Sequence, residues 1–404
     1  MKINKGTIDL DTKIISSENI LFIQDIDGVC IPLVKDPMTR KIDERYIYAV
    51  KNFNEEFFVL TCGEHEGERG VNRIIEKALK NNIDPQEKGL YFPGLAACGV
   101  EFQNINGEIS FEGISDKEIQ FLSIVPKLIR PKFTSKVKEI FPNMNEKMIS
   151  YHTNLSICNT RFSPTINFNS LFEIVGDNWR KRKEIQKSFE IIMNEIIYEA
   201  ELRGLKDSFF LHISPNLGTK HGIEIIKGST PNDIGSTDIQ FLLKGALKDS
   251  GVLCLLNKFI ETKKGFKPFG EKFNFRNSPK SIKEKIDLCK KYIKREDMPL
   301  IIGVGDTITS QKDISSKRFL RGGSDRSFLE LIKLLGEEYE IENKIIFVDS
   351  SSGEVFRPST KETGFEGITD KNDFLKFDLV FQNGPKEYID WFIKLSKRRK
   401  ELKD

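Results

Sequence analysis

Apolar residues in this chain fall into two patterns: short unbroken runs, and longer stretches in which they recur every three or four positions. Residues 20–26, "ILFIQDI", and 56–61, "EFFVLT", are runs of strand length. Between them "KIDERYIYAVKNF" (41–53) puts Ile42, Tyr46, Ile47 and Val50 on one helical face. Strand, helix, strand predicts a parallel βαβ unit, since a parallel neighbour is reached only by a crossover. A helix is predicted at "RGVNRIIEKALKNN" (69–82), followed by a turn-rich strand region, "KGLYFPGLAACGVEFQN" (88–104).

From about 110 to 239 the pattern changes. Helical patches such as "DKEIQFLSIVPKLI" and "WRKRKEIQKSFEIIMNEIIYEAELRG" alternate with β-like pieces, "SFFLHIS" and "HGIEIIKG", which reads as an α+β unit inserted into the first. The strand–helix alternation then resumes. A helix is predicted over "DIQFLLKGALKDSGVLCLLNKF", a polar loop at about 261–280, and a helix at "SIKEKIDLCKKYIKRE". The strand "PLIIGVGD", the helix "SFLELIKLLGEEY" and the strand "NKIIFVDSS" follow. The expected organisation is α/β: a parallel-sheet core from residues 1–111 and 240–404, interrupted by an inserted domain at 112–239.

Composition narrows the class. Of 404 residues, 63 are Lys or Arg and 60 Asp or Glu, so the net charge is only +3, too balanced for a nucleic-acid partner. The basic "KLSKRRKELK" near the C-terminus reads as the end of a solvated helix. Six cysteines are scattered without a Cys-x-x-Cys pair, mostly within apolar stretches, which favours reduced thiols and a reducing compartment. The N-terminal "MKINKGTIDLDTK" lacks the apolar stretch of a signal peptide, and no run is long enough to span a membrane. A cytoplasmic location is therefore expected. Four histidines and no His/Cys cluster speak against zinc.

Candidate chemistry collects where strands end, as it does in parallel α/β sheets. The first strand ends on Asp25 and Asp27, two residues apart and so on one side, before Gly28. The second ends on Thr61, followed by "CGEHEGERG"; a third ends on Asp306 after "GVG". Each has a plainer reading: Asp-Gly is a common turn and a terminal Thr a common β-former. A calcium loop fits poorly, for want of a third ligand before the glycine and a preceding helix. Three strands ending on oxygen ligands favour a bound cation over coincidence, because buried carboxylates need one.

"DIDGV", "FVLT", a Lys-Gly pair and "GVGD" in this order resemble the four motifs of the haloacid-dehalogenase superfamily of phosphatases, with the insertion as its cap. More narrowly, "QDIDGVCIPLVKDPMTRKIDERYI", "VLTCGEHEGERGVNRI", "YFPGLAACGVEFQN", "RFSPTINFNSLFE" and "RGGSDRSFLELI" resemble the glucosylglycerol-phosphate phosphatases of cyanobacteria, which make an osmolyte used under salt stress. The resemblance implies hydrolysis of glucosylglycerol 3-phosphate by Asp25 as nucleophile and Asp27 as acid/base. It implies Mg²⁺ held by Asp25, the Asp27 carbonyl and Asp306. Thr61 and the amides of Cys62 and Gly63 are expected to bind the phosphoryl group, with Lys244 in "LLKGAL" as the charge clamp and Lys220 and Lys227 as rivals.

Where the superfamily often has a second acid four residues after Asp306, this chain has Ser310, with Asp313 the nearest carboxylate downstream. Metal coordination by Asp306 alone, a water, or Ser310 stays open. "GTKHGIEI" resembles the sugar-holding segment of trehalose-phosphate phosphatases, which suggests Lys220, His221 and Glu224 as sugar ligands; a surface hairpin is the alternative. Glu64, His65 and Arg69 are placed at the mouth. In "RGGSDRS", Ser324 or Asp325 reads as a helix cap, with Arg321 and Arg326 as candidates to face substrate. A cap that must exclude water is expected to close. Functional coupling to the synthase that supplies the substrate is a further expectation. A phosphatase for sucrose 6-phosphate or trehalose 6-phosphate, or a sugar-phosphate sensor without activity, are the other readings.

Overall fold

The computed structural model describes residues 5–79, 83–313 and 316–403. It opens with helix α1 (Lys5–Ser16) and strand β1 (Ile20–Gln24). Then come α2 (Glu44–Phe53), β2 (Phe57–Leu60), α3 (Val71–Leu79), the single turn α4 (Pro85–Lys88), and three short strands, β3 (Gly94–Ala96), β4 (Glu101–Gln103) and β5 (Ile109–Phe111). The end of the helix expected over 69–82 falls at 80–82, outside the described residues.

The inserted region holds α5 (Asp116–Ile140), α6 (Glu146–Ser156), β6 (Ile157–Cys158), β7 (Thr165–Asn167), α7 (Asn169–Val175), α8 (Trp179–Leu202), β8 (Phe209–Ser214), β9 (Asn216–Lys220), β10 (Ile223–Ile226) and β11 (Asp238–Leu243). The chain then runs through α9 (Lys248–Lys264), α10 (Ile282–Tyr292), β12 (Leu300–Gly305), the hairpin β13 (Thr309–Lys312) and β14 (Phe319–Gly322), α11 (Arg326–Tyr339), β15 (Lys344–Val348), β16 (Leu379–Phe381) and α12 (Pro385–Lys403).

The core sheet is ordered β16-β15-β12-β1-β2-β3-β4-β5, parallel from β16 to β3 and antiparallel beyond. Every residue of β1, β2 and β12 is buried, because helices cover both faces. Alternation along β1 divides the packing. Ile20 and Phe22 join Tyr46, Phe53, Tyr388 and Phe392 of α2 and α12, whereas Leu21 and Ile23 join Leu253, Leu256, Phe328 and Leu329 of α9 and α11. Gln24 is level with Val304 on one neighbour and Val59 on the other, so Asp25, Thr61 and Asp306 emerge side by side at one sheet edge. The predicted βαβ unit and the resumed alternation are therefore present as one sheet.

The insertion carries its own antiparallel sheet, β6-β7-β11-β8, with its own core against α5 and α8. Two sequence expectations need correcting here. "DIQFLLKGALKDSGVLCLLNKF" is not one helix: its first six residues are β11, paired with β7 and β8, and only from Lys248 is it helical. A six-residue apolar run fits either period, and Gly245, at a φ of +92°, breaks the chain between the two elements. Since β11 belongs wholly to the inserted sheet, the return to the core follows Leu243 rather than falling between 239 and 240.

The two chain ends are joined through α12. Arg399, 2% exposed, donates from Nε and Nη2 to Glu56 Oε2 at 3.0 and 2.8 Å and from Nη1 to the carbonyls of Ile14 and Ile15. Removing one member of a buried pair strands the other charge. Arg399→Ala is expected to cost about 3–5 kcal/mol in urea denaturation, and Arg399→Ala/Glu56→Gln less than the two single changes summed.

Candidate active site

Asp25 follows β1 directly and is 7% exposed. Its Oδ1 accepts from the Ile26 amide at 2.7 Å and its Oδ2 from Lys248 Nζ at 2.5 Å. Lys248, the first residue of α9, also donates to Asp325 Oδ1 at 2.6 Å. The second oxygen of Asp325 accepts from the amides of Asp306 and Thr307, both at 2.9 Å, so it fixes the turn after β12 while anchoring the lysine. Asp25, Asp306 and Asp325 bring carboxylate oxygens within 4.8 Å of one another. Both Asp306 oxygens are buried without a hydrogen-bond partner; the Ser350 hydroxyl is close, though not in hydrogen-bond geometry.

Two carboxylates therefore share one ammonium, with the third beside them, in a place water barely reaches. Burial pushes the Asp25 carboxyl up to about 7 against the pull of Lys248, with the Asp325 charge adding to the rise. Burial, then Asp325 and Asp25, holds Asp306 well above the carboxylate range. Burial works against the Lys248 charge, but Asp25 and Asp325 together raise its pKa. Gly28, at a φ of +82°, makes room: a Cβ there would fall 2.1 Å from Asp306 Oδ2. Orphaned oxygen donors, a net negative charge and this cradle fit a hard divalent cation held by Asp25 and Asp306. Both Asp325 oxygens are already occupied.

A cleft of about 1100 Å³, counting its open mouth, lies over this cluster between core and insertion. Asp27, beside Asp25, faces it and receives both Nη1 contacts of Arg40, at 3.1 and 2.9 Å. Thr61 is buried at the cleft floor, and its Oγ1 accepts from the Gly63 amide at 3.1 Å. The loop 97–98 braces that segment through Ala97 N to Gly63 O and Cys98 N to Thr61 O, both 2.9 Å. Arg69 and Arg357 reach the same cleft, each with a buried guanidinium nitrogen that lacks a partner.

The family model of glucosylglycerol-phosphate phosphatases matches residues 19–396. The glucosylglycerol-phosphate phosphatase of Synechocystis sp. is 38% identical over 400 residues, covering 95% of this chain and 94% of that protein. The chain belongs to the glucosylglycerol-phosphate phosphatase family. It is accordingly a phosphatase. Among solved structures, trehalose-6-phosphate phosphatase of Aspergillus fumigatus aligns with a TM-score of 0.38 at 9% identity over 96% of this chain and 97% of that one. The C-terminal domain of the Candida albicans enzyme aligns with a TM-score of 0.43 at 12% identity over 98% and 97%.

In this member of the glucosylglycerol-phosphate phosphatase family, Asp25, Asp27, Thr61, Cys62, Gly63, Glu64 and Arg69 line the cleft, with Asp306 beneath it. Lys244 does not join them. It lies exposed in the turn just after β11, and the position against Asp25 is taken by Lys248, because the helix opens after the Lys-Gly pair and not at it. Lys227 is engaged with Asp233 at 2.6 Å. Lys220 and His221 lie exposed at the turn of the β9–β10 hairpin, outside the cleft lining. Glu224 is buried one layer behind, accepting from the Ile213 amide and Asn216 Nδ2 at 2.8 Å and facing His212 Nδ1 at 2.8 Å. It is His212 that reaches the cleft.

Arg321 is held by Asp370 and Arg326 by Asp373 and Glu330, outside the cleft lining. Ser310 donates to Asp370 Oδ2 at 2.7 Å, and the further carboxylate beside Asp25 and Asp306 is Asp325, read from sequence as a helix cap. Cys62 and Cys98 are joined as a disulfide, which corrects the expectation of six free thiols. Among the described residues no helix is long and apolar enough to cross a membrane.

His65 is fully buried under the loop, its Nε2 3.2 Å from Gly94 O, and does not line the cleft. Burial lowers its pKa to about 4, so the fold requires neutral imidazole. The depressed value means that the stability His65 contributes is complete above pH 6.5 and is lost as pH falls towards 4. Unfolding free energy should drop by about 3 kcal/mol more between pH 7 and pH 4 in the parent than in His65→Gln.

Proposed function

We propose that this phosphatase hydrolyses glucosylglycerol 3-phosphate to glucosylglycerol and phosphate through an aspartyl-phosphate on Asp25, with Mg²⁺ as its cofactor. The observation that carries the reading is the buried Lys248 bridging Asp25 and Asp325 beside an unpartnered Asp306, at the level ends of three parallel strands. Family membership, with a relative named for glucosylglycerol phosphate, supports the choice of sugar phosphate.

Lys248 and the Ile26 amide fix the Asp25 carboxylate so that its free lone pairs face the cleft, the geometry required of a nucleophile approaching phosphorus in line. Thr61 Oγ1 and the amides of the following loop are placed to hold phosphoryl oxygens as charge moves on to them. Asp27, two residues after Asp25 and lining the same cleft, is the carboxyl assigned to the leaving group. It donates a proton to the departing alkoxide and takes one from water in the second step, as microscopic reversibility requires. Arg40 Nη1 donates to both Asp27 oxygens, so Asp27 must leave that pair to reach the leaving oxygen. Asp25, Asp306 and the Asp27 carbonyl would hold Mg²⁺, which when bound neutralises the phosphoryl oxygens and the buried carboxylates. The same reading expects a cytoplasmic enzyme acting on the product of a glucosylglycerol-phosphate synthase.

Phosphate release should be seen from glucosylglycerol 3-phosphate with Mg²⁺, be abolished by EDTA, and fall to background in Asp25→Asn. Release from sucrose or trehalose 6-phosphate instead would overturn the substrate and keep the chemistry; release from none would favour a sensor. Lys248→Met should lose about 10²–10³ in kcat, while Lys244→Met should stay within about twofold.

A further inference from the structure

Cys62 follows β2 and Cys98 follows β3, and a third side chain reaches them from the insertion. His212 of β8 places its Nε2 4.0 Å from Cys62 Sγ. One donor atom from each of the three residues lies within 4.8 Å of the others. Positions 62, 98 and 212 are too far apart along the chain to form a ligand motif, so no His/Cys cluster is legible in the sequence. Each member is held from behind. Ala97 and Cys98 both sit in the left-handed region, at φ of +47° and +56°, which non-glycine residues keep only where their surroundings enforce it. The bonds from Ala97 N to Gly63 O and from Cys98 N to Thr61 O enforce it here. His212 Nδ1 is 2.8 Å from Glu224 Oε1, while Glu224 Oε2 accepts from the Ile213 amide and Asn216 Nδ2. A carboxylate behind an imidazole, turning the other nitrogen outward, is the usual support of a metal-binding histidine. In the disulfide that outward nitrogen faces a sulfur with no proton to give.

A disulfide that only staples the loop 97–98 to the segment after Thr61 needs neither His212 nor its carboxylate. Reduction takes two electrons and two protons from a dithiol, which becomes a disulfide itself, and leaves two thiols beside one imidazole. A divalent cation that binds both sulfurs as thiolates releases the two protons, and its charge balances theirs. Two thiolates and one imidazole suit zinc, whose tetrahedral ligand atoms lie about 3.5 Å apart, and leave a fourth position free. Cys62 and His212 line the cleft whereas Cys98 is 2% exposed, so the free position faces the cleft. Four carboxylates line the same cleft, those of Asp25, Asp27, Glu64 and Asp238, and they attract a cation too. They are hard oxygen donors, and Asp25, Asp27 and Asp238 are bonded to Lys248, Arg40 and Asn167. A thiophilic ion is therefore sorted to the sulfurs. We propose that Cys62, Cys98 and His212, once the disulfide is reduced, form a zinc site that ties the loop after Thr61 to cap strand β8 and inhibits the enzyme. A metal there joins the two walls of the cleft beside Thr61, where the phosphoryl group has to enter and leave. Only the inhibition rests on the phosphatase reading.

The test uses Co²⁺, which replaces zinc in such sites and reports thiolate ligands by charge-transfer absorption. It is titrated without oxygen into the full chain reduced by a phosphine, with Mg²⁺ in excess to occupy the carboxylates. Thiolate charge-transfer and tetrahedral bands should rise to one equivalent, vanish when Zn²⁺ is added, and be absent from the disulfide form. Glu224→Gln should weaken Co²⁺ binding about tenfold, and Cys98→Ser and His212→Phe should weaken it further, with thermal melts to confirm folding. In the phosphate-release assay one equivalent of Zn²⁺ should remove most of the activity of the reduced protein. The disulfide form and Cys98→Ser should keep their own zinc-free rates. No thiolate bands in the reduced protein, equal bands in the disulfide form, or unchanged binding by His212→Phe would overturn the site. Binding without loss of activity would overturn its inhibitory role. Absence of phosphate release by the zinc-free protein would reject the phosphatase reading separately, because the absorption titration needs no turnover.

Discussion

Everything at the centre of this molecule depends on one buried ammonium. Lys248 Nζ is shared between Asp25 at 2.5 Å and Asp325 at 2.6 Å, and its side chain is 1% exposed. Its position follows from where α9 begins. Leu247 is still extended, Lys248 is the first helical residue, and the glycine two positions before Leu247 releases the chain from the cap sheet. One lysine against three carboxylates leaves the cluster negative. Burial makes that imbalance expensive, so the site is completed only by a cation or by protons. The raised positions of Asp25 and Asp306 are the proton solution, and a divalent metal is the other.

The anchoring of Asp325 links this charge cluster to the backbone. The same carboxylate that binds Lys248 receives the Asp306 and Thr307 amides, which otherwise point into a buried turn without partners. Placement of Asp306 and placement of Lys248 are therefore one event. Gly28 is the third party, since no other residue type leaves space for Asp306 at that distance. A change at any of the three moves the other two.

Much of this was legible in the sequence, and the misses share a cause. Asp25, Asp27, Thr61 and Asp306 could be read because each ends an apolar run, a local signal. Lys248 was missed because "DIQFLL" was taken as helix: strand and helix periods are indistinguishable over six residues, and the pairing of β11 with β7 and β8, which decides it, is non-local. Asp325 carried the ordinary signature of a helix cap, and nothing local shows that its oxygens turn instead to a lysine 77 positions earlier. Lys220 and His221 matched a sugar-holding motif but project from a hairpin, while the residue that reaches the cleft, His212, is placed there by Glu224 of the same motif.

The two sheets present side chains to the cleft in different ways. Strands of the core are buried on both faces, so their side chains pack and only residues beyond their ends are free for chemistry. That gives a few groups at one edge, held rigidly, which suits a phosphoryl group of fixed geometry. The cap sheet packs its core on one face, so alternate residues of β7, β11 and β8 line the cleft across an area.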